Sequence, residues 1–184
     1  MIRCFTLANL TSIVLLLAAS AAEPTAPDVP EKIAVPPGHK LLFKVEAKGV
    51  QIYKAVEGKG GKLEWVLEAP LADLSDGTSK AGFHYLDEVS AVPAWEAVDG
   101  SKVKRDKAED VIPSPAPNPK EDIPWLLVKV KADEGKAGMF SPTVYIQRRD
   151  TVGGKPPTED PKRIGTKIAV AYKAVYYFYE KTKK

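Results

Sequence analysis

The stretch "KLEWVLEAP", residues 62–70, shows the hydrophobic period that decides the fold of this chain. Leu63, Trp65 and Leu67 alternate there with two glutamates and a valine. A period of two is typical of a β-strand with one buried face. No long segment of the sequence shows the 3.6-residue period of an amphipathic helix. The pattern therefore predicts an all-β fold.

Short segments of the same kind recur along the rest of the sequence, and turn-forming residues separate them. The segments read LLFKVEA, VQIYKAV, KAGFHYL, PWLLVKVKA, TVYIQRR and, near the end, KIAVAYKAVYYFYE. The Asp-Gly and Gly-Gly pairs between them are typical of hairpin turns. We expect about eight to ten mainly antiparallel strands, arranged as a single-domain β-sandwich or small barrel.

The N-terminus has the composition of a secretory signal. In residues 1–22, Arg3 precedes an apolar stretch, and the small residues "AASAA" follow it. The apolar stretch is shorter than the roughly 20 residues that a membrane span requires. Cys4 is the single cysteine, so cleavage would leave a mature chain without cysteine. We expect an exported protein, periplasmic or extracellular, with no transmembrane span in the mature chain.

Two proline-rich stretches divide the remainder. Residues 23–38 contain five prolines and are predicted to form a flexible tether. An all-β domain should then cover residues 39–184, with a proline-rich surface loop at residues 111–124. The 27 basic and 24 acidic side chains give a net charge of +3, and both signs are mixed along the chain. Without a clustered basic face, nucleic acid is not expected as a partner.

The stretch "HYLDEVSAVPAWEAVDGS", residues 84–101, contains the densest group of candidate site residues. His84, Glu96 and Asp99 could form a hydrolytic or metal site only if they converge in space. Trp95 lies beside an acid and a turn, so we expect it to be exposed, where it would suit a sugar ligand. Asp99 and Gly100 are predicted first as the tip of a hairpin. Arg148 is interpreted first as a surface ion-pair residue and second as a member of the site.

The sequence contains none of the familiar catalytic or metal-binding motifs. It has no G-x-S-x-G elbow, no H-x-H or H-E-x-x-H pair and no calcium loop. We therefore expect a non-catalytic binding or structural module of the envelope or extracellular space, with no cofactor and with a saccharide or apolar small molecule as ligand. The alternative is a hydrolase or metal-assisted enzyme with a pocket around His84, Trp95 and Glu96.

Seven phrases, in one order along the chain, carry a family resemblance. They are GVQIY (49–53), WVLEAP (65–70), HY (84–85), WEAVDGSKV (95–103), IPWLLVKV (123–130), YIQRRDTVGG (145–154) and YKAVYYFY (172–179). Together they resemble the secreted family known as domain of unknown function 3455. The resemblance implies a single exported domain and brings no established activity.

The chain departs from the family pattern at two places. The resemblance implies cysteines at the positions of Ala55 and about Glu159, which, if bridged in relatives, would close a long loop there. It also implies a closer spacing of His84 and Tyr85 to Pro93, so residues 86–92 read as a small insertion. Such an insertion disfavours a shared catalytic role of His84 and Glu96 unless it bulges outward.

Overall fold

The computed structural model describes residues 25–183, so the secretory signal predicted for residues 1–22 lies outside the described part of the chain. That part contains nine β-strands, three short 3-10 helices and no α-helix. Within residues 25–183, no helix has the length and apolarity to cross a membrane. The strands are β1 (His39–Glu57), β2 (Leu63–Ser75), β3 (Lys80–Asp87), β4 (Val92–Ala97), β5 (Lys102–Arg105), β6 (Val111–Ser114), β7 (Trp125–Ala132), β8 (Thr143–Gly153) and β9 (Lys167–Lys181).

The strands form a closed antiparallel barrel. Their order is β5-β4-β3-β2-β1-β9-β8-β7-β6, and β5 also pairs with β7. This last pairing, of Val103 with Ala132 and of Arg105 with Val130, joins the two ends of the sheet into an eight-stranded barrel. The ninth strand, β6, lies outside the closure and pairs with the first half of β7. The prediction of an all-β fold is confirmed, and the small barrel is the architecture adopted.

One half of the barrel interior is filled by packed side chains. Phe43 on β1 and Phe178 on β9 stack with ring centroids 4.7 Å apart. Phe140, from the loop before β8, lies 4.7 Å from Phe178 and is fully buried. Because Phe140 comes from a loop and not from a strand, it closes this end of the barrel. Polar side chains lie in the other half of the interior.

Part of the predicted tether belongs to the folded unit. Residues 28–35, here called the N-terminal segment, pack on the outer face of β7 and β8. Ile33 is fully buried there in one cluster with Trp125 and Leu127, and its carbonyl accepts a 2.7 Å hydrogen bond from Gln147 Nε2. The prediction of a flexible segment is wrong for these residues. The reason is that Trp125 and Leu127 of β7 lie on the outer face, where the N-terminal segment covers them, and the proline spacing does not reveal this contact.

The second proline-rich stretch is also more ordered than predicted. Its first four residues form the strand β6, in which Pro113 pairs with Leu126. Proline is tolerated there because β6 is an edge strand. The stretch then crosses the barrel end. There Asp122 forms an isolated antiparallel β-bridge with Gly154, and Ile123 N–H donates to the Gly153 carbonyl at 3.0 Å. The stretch is therefore fastened to the barrel and places Pro124 at the interior.

Candidate functional site

The half of the barrel away from Phe140 contains a cavity of about 320 Å³. All eight strands of the barrel contribute to its lining, together with β6 and the loop before β7. The lining residues are Gln51, Leu67, Pro70, His84, Pro93, Trp95, Arg105, Val111, Pro124, Leu126, Val128, Arg148 and Tyr176. Leu67 is half exposed, so the cavity reaches the protein surface. Its volume is at the lower end of the range for small-molecule pockets.

Three aromatic rings form the base of this cavity. His84 on β3 and Trp95 on β4 are direct cross-strand partners, and their rings stack at 4.3 Å with an angle of 11°. The Tyr176 ring meets both edge-on, at 5.3 Å and 5.8 Å. The expected exposure of Trp95 is wrong, because only 2% of the residue is accessible. The strand register turns Trp95 into the barrel with His84.

His84 is a neutral imidazole in the folded protein. Its Nδ1 lies 2.8 Å from the Ala94 carbonyl, which can only accept, so Nδ1 carries the hydrogen and Nε2 is left as an acceptor. Burial lowers the pKa of His84 to about 3; the Ala94 hydrogen bond opposes this shift, and the Arg148 charge adds to it. With so low a pKa, His84 is a poor general base at neutral pH.

Arg148 is a cation held inside the barrel. Its Nε and Nη2 both donate to the Pro124 carbonyl, at 3.1 Å and 2.8 Å. The interpretation of Arg148 as a surface ion-pair residue is wrong, because strand alternation places its side chain inside. Arg149 takes the outer face instead, where its guanidinium lies 4.4 Å from the Trp125 ring centre. The Arg148 charge also works against the raised pKa that burial gives Tyr53 and Tyr172.

Several polar residues of this half were not predicted. Gln51, Arg105 and Tyr176 line the cavity, and Tyr172 lies near Tyr176 and Gln51. Among the described residues, four buried lining atoms have no hydrogen-bond partner in good geometry: Gln51 Nε2, Trp95 Nε1, Arg105 Nε and the Tyr176 hydroxyl. A signal for Gln51 was present in GVQIY, where it is a polar residue on the face that alternation turns inward.

Glu96 and Asp99 lie away from the cavity. Glu96 follows Trp95 on β4, so it points to the outer face, where its carboxylate accepts a hydrogen bond from Tyr85. Asp99 accepts from Ser101 N–H and Oγ and from Met139 N–H. These bonds, the one from the Ser101 hydroxyl first, lower the pKa of Asp99 to about 2. Asp99 therefore serves the hairpin tip, as the Asp-Gly pair predicted.

The structure does not bring His84, Glu96 and Asp99 together. These three residues therefore do not form one site: Glu96 faces the outer side of the sheet, opposite to His84, and Asp99 lies in the turn after β4. No group of three or more metal-ligating side chains is found anywhere in residues 25–183. Residues 86–92, an insertion according to the resemblance, extend the β3–β4 hairpin and end in a turn, in which Asp87 Oδ1 accepts from Ser90 N–H at 2.8 Å. It leaves the pairing of His84 with Trp95 intact.

The comparisons with known proteins agree with the family resemblance. No curated protein and no solved structure gives a significant match to the chain. The family model described as "Protein of unknown function (DUF3455)" matches residues 79–180. This range includes the cavity residues of β3 to β9 and leaves out those of β1 and β2. Because the match covers more than half of the sequence, the chain belongs to the DUF3455 family.

Proposed function

We propose that the protein is an exported, non-catalytic binding protein that takes a small molecule into the barrel cavity. The observation that carries this proposal is the lining itself, in which stacked aromatic rings adjoin the buried Trp95 Nε1 and Arg105 Nε, two donors without a partner among the described residues. Buried polar groups in folded proteins are nearly always hydrogen-bonded. A bound ligand with polar atoms would satisfy these groups, and its apolar part would rest on the rings.

The chemistry of the lining favours binding over catalysis. The described residues that line the cavity include no serine, threonine, cysteine, aspartate or glutamate, which are the usual nucleophiles and acids of hydrolases. The one imidazole has a pKa of about 3, far from the value near 7 that suits proton transfer at neutral pH. The export of the chain is proposed from the signal-like residues 1–22.

The indole N–H groups of the three tryptophans provide the test. Trp95 Nε1 is in the cavity wall without a partner, whereas Trp65 Nε1 donates to the Glu159 carbonyl at 3.0 Å and lies outside the cavity. In a ¹⁵N–¹H correlation spectrum the three signals are assigned with single Trp→Phe variants. The protein is then titrated with hexanol, cyclohexanol, hexanoate and methyl glucoside as probes.

At least one probe is expected to shift the Trp95 signal, leave the Trp65 signal unchanged and raise the melting temperature. Replacing Trp95 with alanine should abolish the thermal shift, and Trp65→Ala should preserve it. If no probe shifts the Trp95 signal, or if Trp65 responds equally, the cavity is not a binding site and the proposal fails.

A further inference from the structure

We propose that the ligand is a compact organic carboxylate, whose head group is held by Arg148 and Arg105 and whose apolar body rests against the aromatic base of the cavity. This inference rests on the proposed function, since it names the class of molecule that the same cavity accepts. The lining is positively charged, contains unpartnered donors and holds Arg148 in a fixed position. Its remaining walls are apolar and limit the size of the ligand.

The charge of the cavity is positive and has no internal counterpart. Two guanidinium groups line it, and none of its described lining residues is acidic. Neither Arg148 nor Arg105 takes part in an ion pair within the described part of the chain. A buried charge is unfavourable unless it is paired. An anion in the cavity would supply the missing partner to both groups.

Two nitrogens of the lining that can only donate, the indole Nε1 of Trp95 and the Nε of the Arg105 guanidinium, have no hydrogen-bond partner among the described residues. The Gln51 side chain instead makes a hydrogen-bond contact with the Tyr172 hydroxyl. The acceptors of the lining are uncharged: His84 Nε2, since Nδ1 is committed to the Ala94 carbonyl, the Gln51 amide oxygen and the Tyr176 hydroxyl. An ionised carboxylate accepts hydrogen bonds and donates none. It therefore complements the two unpartnered donors and the two guanidinium groups.

Arg148 is held in place before any ligand arrives. Two of its nitrogens are fixed on the Pro124 carbonyl. The loop that carries Pro124 is fixed in turn, because Thr151 Oγ1 donates to the Ile123 carbonyl at 2.7 Å. A guanidinium restrained in this way loses little side-chain freedom when it binds an anion.

The remaining walls are apolar and set the size of the ligand. They consist of the side chains of Leu67, Pro70, Pro93, Val111, Leu126 and Val128. A cavity of about 320 Å³ holds on the order of ten non-hydrogen atoms, taking the roughly 30 Å³ that a water molecule occupies in the liquid as a guide. Hexanoate and phenylacetate are acids of this size, and long-chain fatty acids are too large.

The test compares acids with their uncharged amides. Isothermal titration calorimetry measures hexanoate against hexanamide and phenylacetate against phenylacetamide, which share a shape and differ in charge. Each acid should bind at least about tenfold more tightly than its amide, as expected for hydrogen bonds to a charged group. Arg148→Met and Arg105→Met should each weaken the acid at least about fivefold and leave the amide nearly unchanged. Arg163→Met, at an exposed loop position, is the matched control and should leave both affinities as they are.

Other outcomes would contradict the carboxylate, the apolar body or the binding function separately. Equal affinity for acid and amide, with the Trp95 signal shifting in both titrations, would overturn the carboxylate and leave the binding function standing. Equal affinity for acetate and hexanoate would overturn the apolar body. If no probe shifts the Trp95 signal and none gives a calorimetric binding signal, both the binding function and the carboxylate ligand are refuted. If Arg148→Met does not fold, as judged by circular dichroism, Arg105→Met decides the question.

Discussion

Replacing His84 with asparagine is expected to remove one component of the protein's acid sensitivity. In the folded state, burial holds the pKa of His84 at about 3, against 6.5 for an unperturbed histidine. Below pH 6.5 the unfolded chain therefore binds a proton at this position that the folded protein does not bind. The free energy of unfolding must then fall as the pH falls through this window, and it is regained as the pH rises above 6.5.

The size of the effect follows from the two pKa values. Each pH unit over which only the unfolded state is protonated is worth about 1.4 kcal/mol, so the loss between pH 7.5 and pH 4.5 is about 2.7 kcal/mol. This value does not depend on the folded pKa as long as that pKa stays below about 4. Carboxylates with lowered pKa, such as Asp87 with its Ser90 hydrogen bonds, also lose stability in acid. They are unchanged in the variant, so their contribution cancels in the difference.

Urea unfolding at the two pH values measures this difference. His84→Asn is the suitable variant because the asparagine Nδ2 can replace Nδ1 as donor to the Ala94 carbonyl. The unfolding free energy of the unaltered protein should fall by about 2.7 kcal/mol more than that of the variant. His39→Asn, at the half-buried start of β1, is the control, and its unfolding free energy should fall between the two pH values as much as that of the unaltered protein. Falls of equal size in the unaltered protein and the His84 variant would refute the reasoning, since His84 would then be solvated or paired in the fold.

Two further predictions concern the N-terminal segment and the family cysteines. Ile33→Ala should lower the free energy of unfolding, measured in urea, by about 2–4 kcal/mol. Ile164→Ala, at a residue 59% exposed, is the control and should change it by no more than about 0.5 kcal/mol. Equal losses in the two variants would mean that the N-terminal segment does not pack on the barrel. Following the family resemblance, Ala55→Cys with Glu159→Cys is expected to oxidise in the folded protein. Trp65, the cross-strand partner of Ala55, donates to the Glu159 carbonyl, so the segment around Glu159 lies over this part of the sheet. The bridge should add up to about 4.7 kcal/mol for a loop of about 100 residues, measured with and without reductant, and failure to oxidise in the folded protein would contradict it.

The alternation around KLEWVLEAP was sufficient to predict strands, but it could not choose between a sandwich and a barrel. That choice depends on the pairing of β5 with β7, which joins residues far apart in sequence. A period of two is the same in both architectures. Alternation also does not show how completely the residues of an inward face are buried. Leu67, on the predicted buried face of β2, is half exposed because it lies at the opening of the cavity.

The site was predicted in part, and the errors concern which face of a strand points inward. Alternation already requires Trp95 and Glu96 to face opposite sides, so they could not share a pocket. Alternation does not show which of the two faces is the buried one. The acid and the turn beside Trp95 favoured an exposed indole, yet the indole lies inside the barrel. Arg148 and Arg149 are neighbours on β8, so alternation likewise requires them to face opposite sides, as observed. Deciding which one is buried required knowing that residues 28–35 cover the outer face, and this contact is far away in sequence.

The two halves of the barrel interior differ in a way that packing alone does not explain. Around Phe43, Phe140 and Phe178 the chain fills its interior with stacked rings. In the other half it places two guanidinium groups and a cavity. Replacing buried charged groups with apolar residues of similar volume is often neutral or stabilising, so an apolar side chain at Arg148 would serve stability at least as well. Packing alone therefore does not account for the polar end of the barrel, and the carboxylate that we propose as ligand would account for the charge, the unpaired donors and the space together.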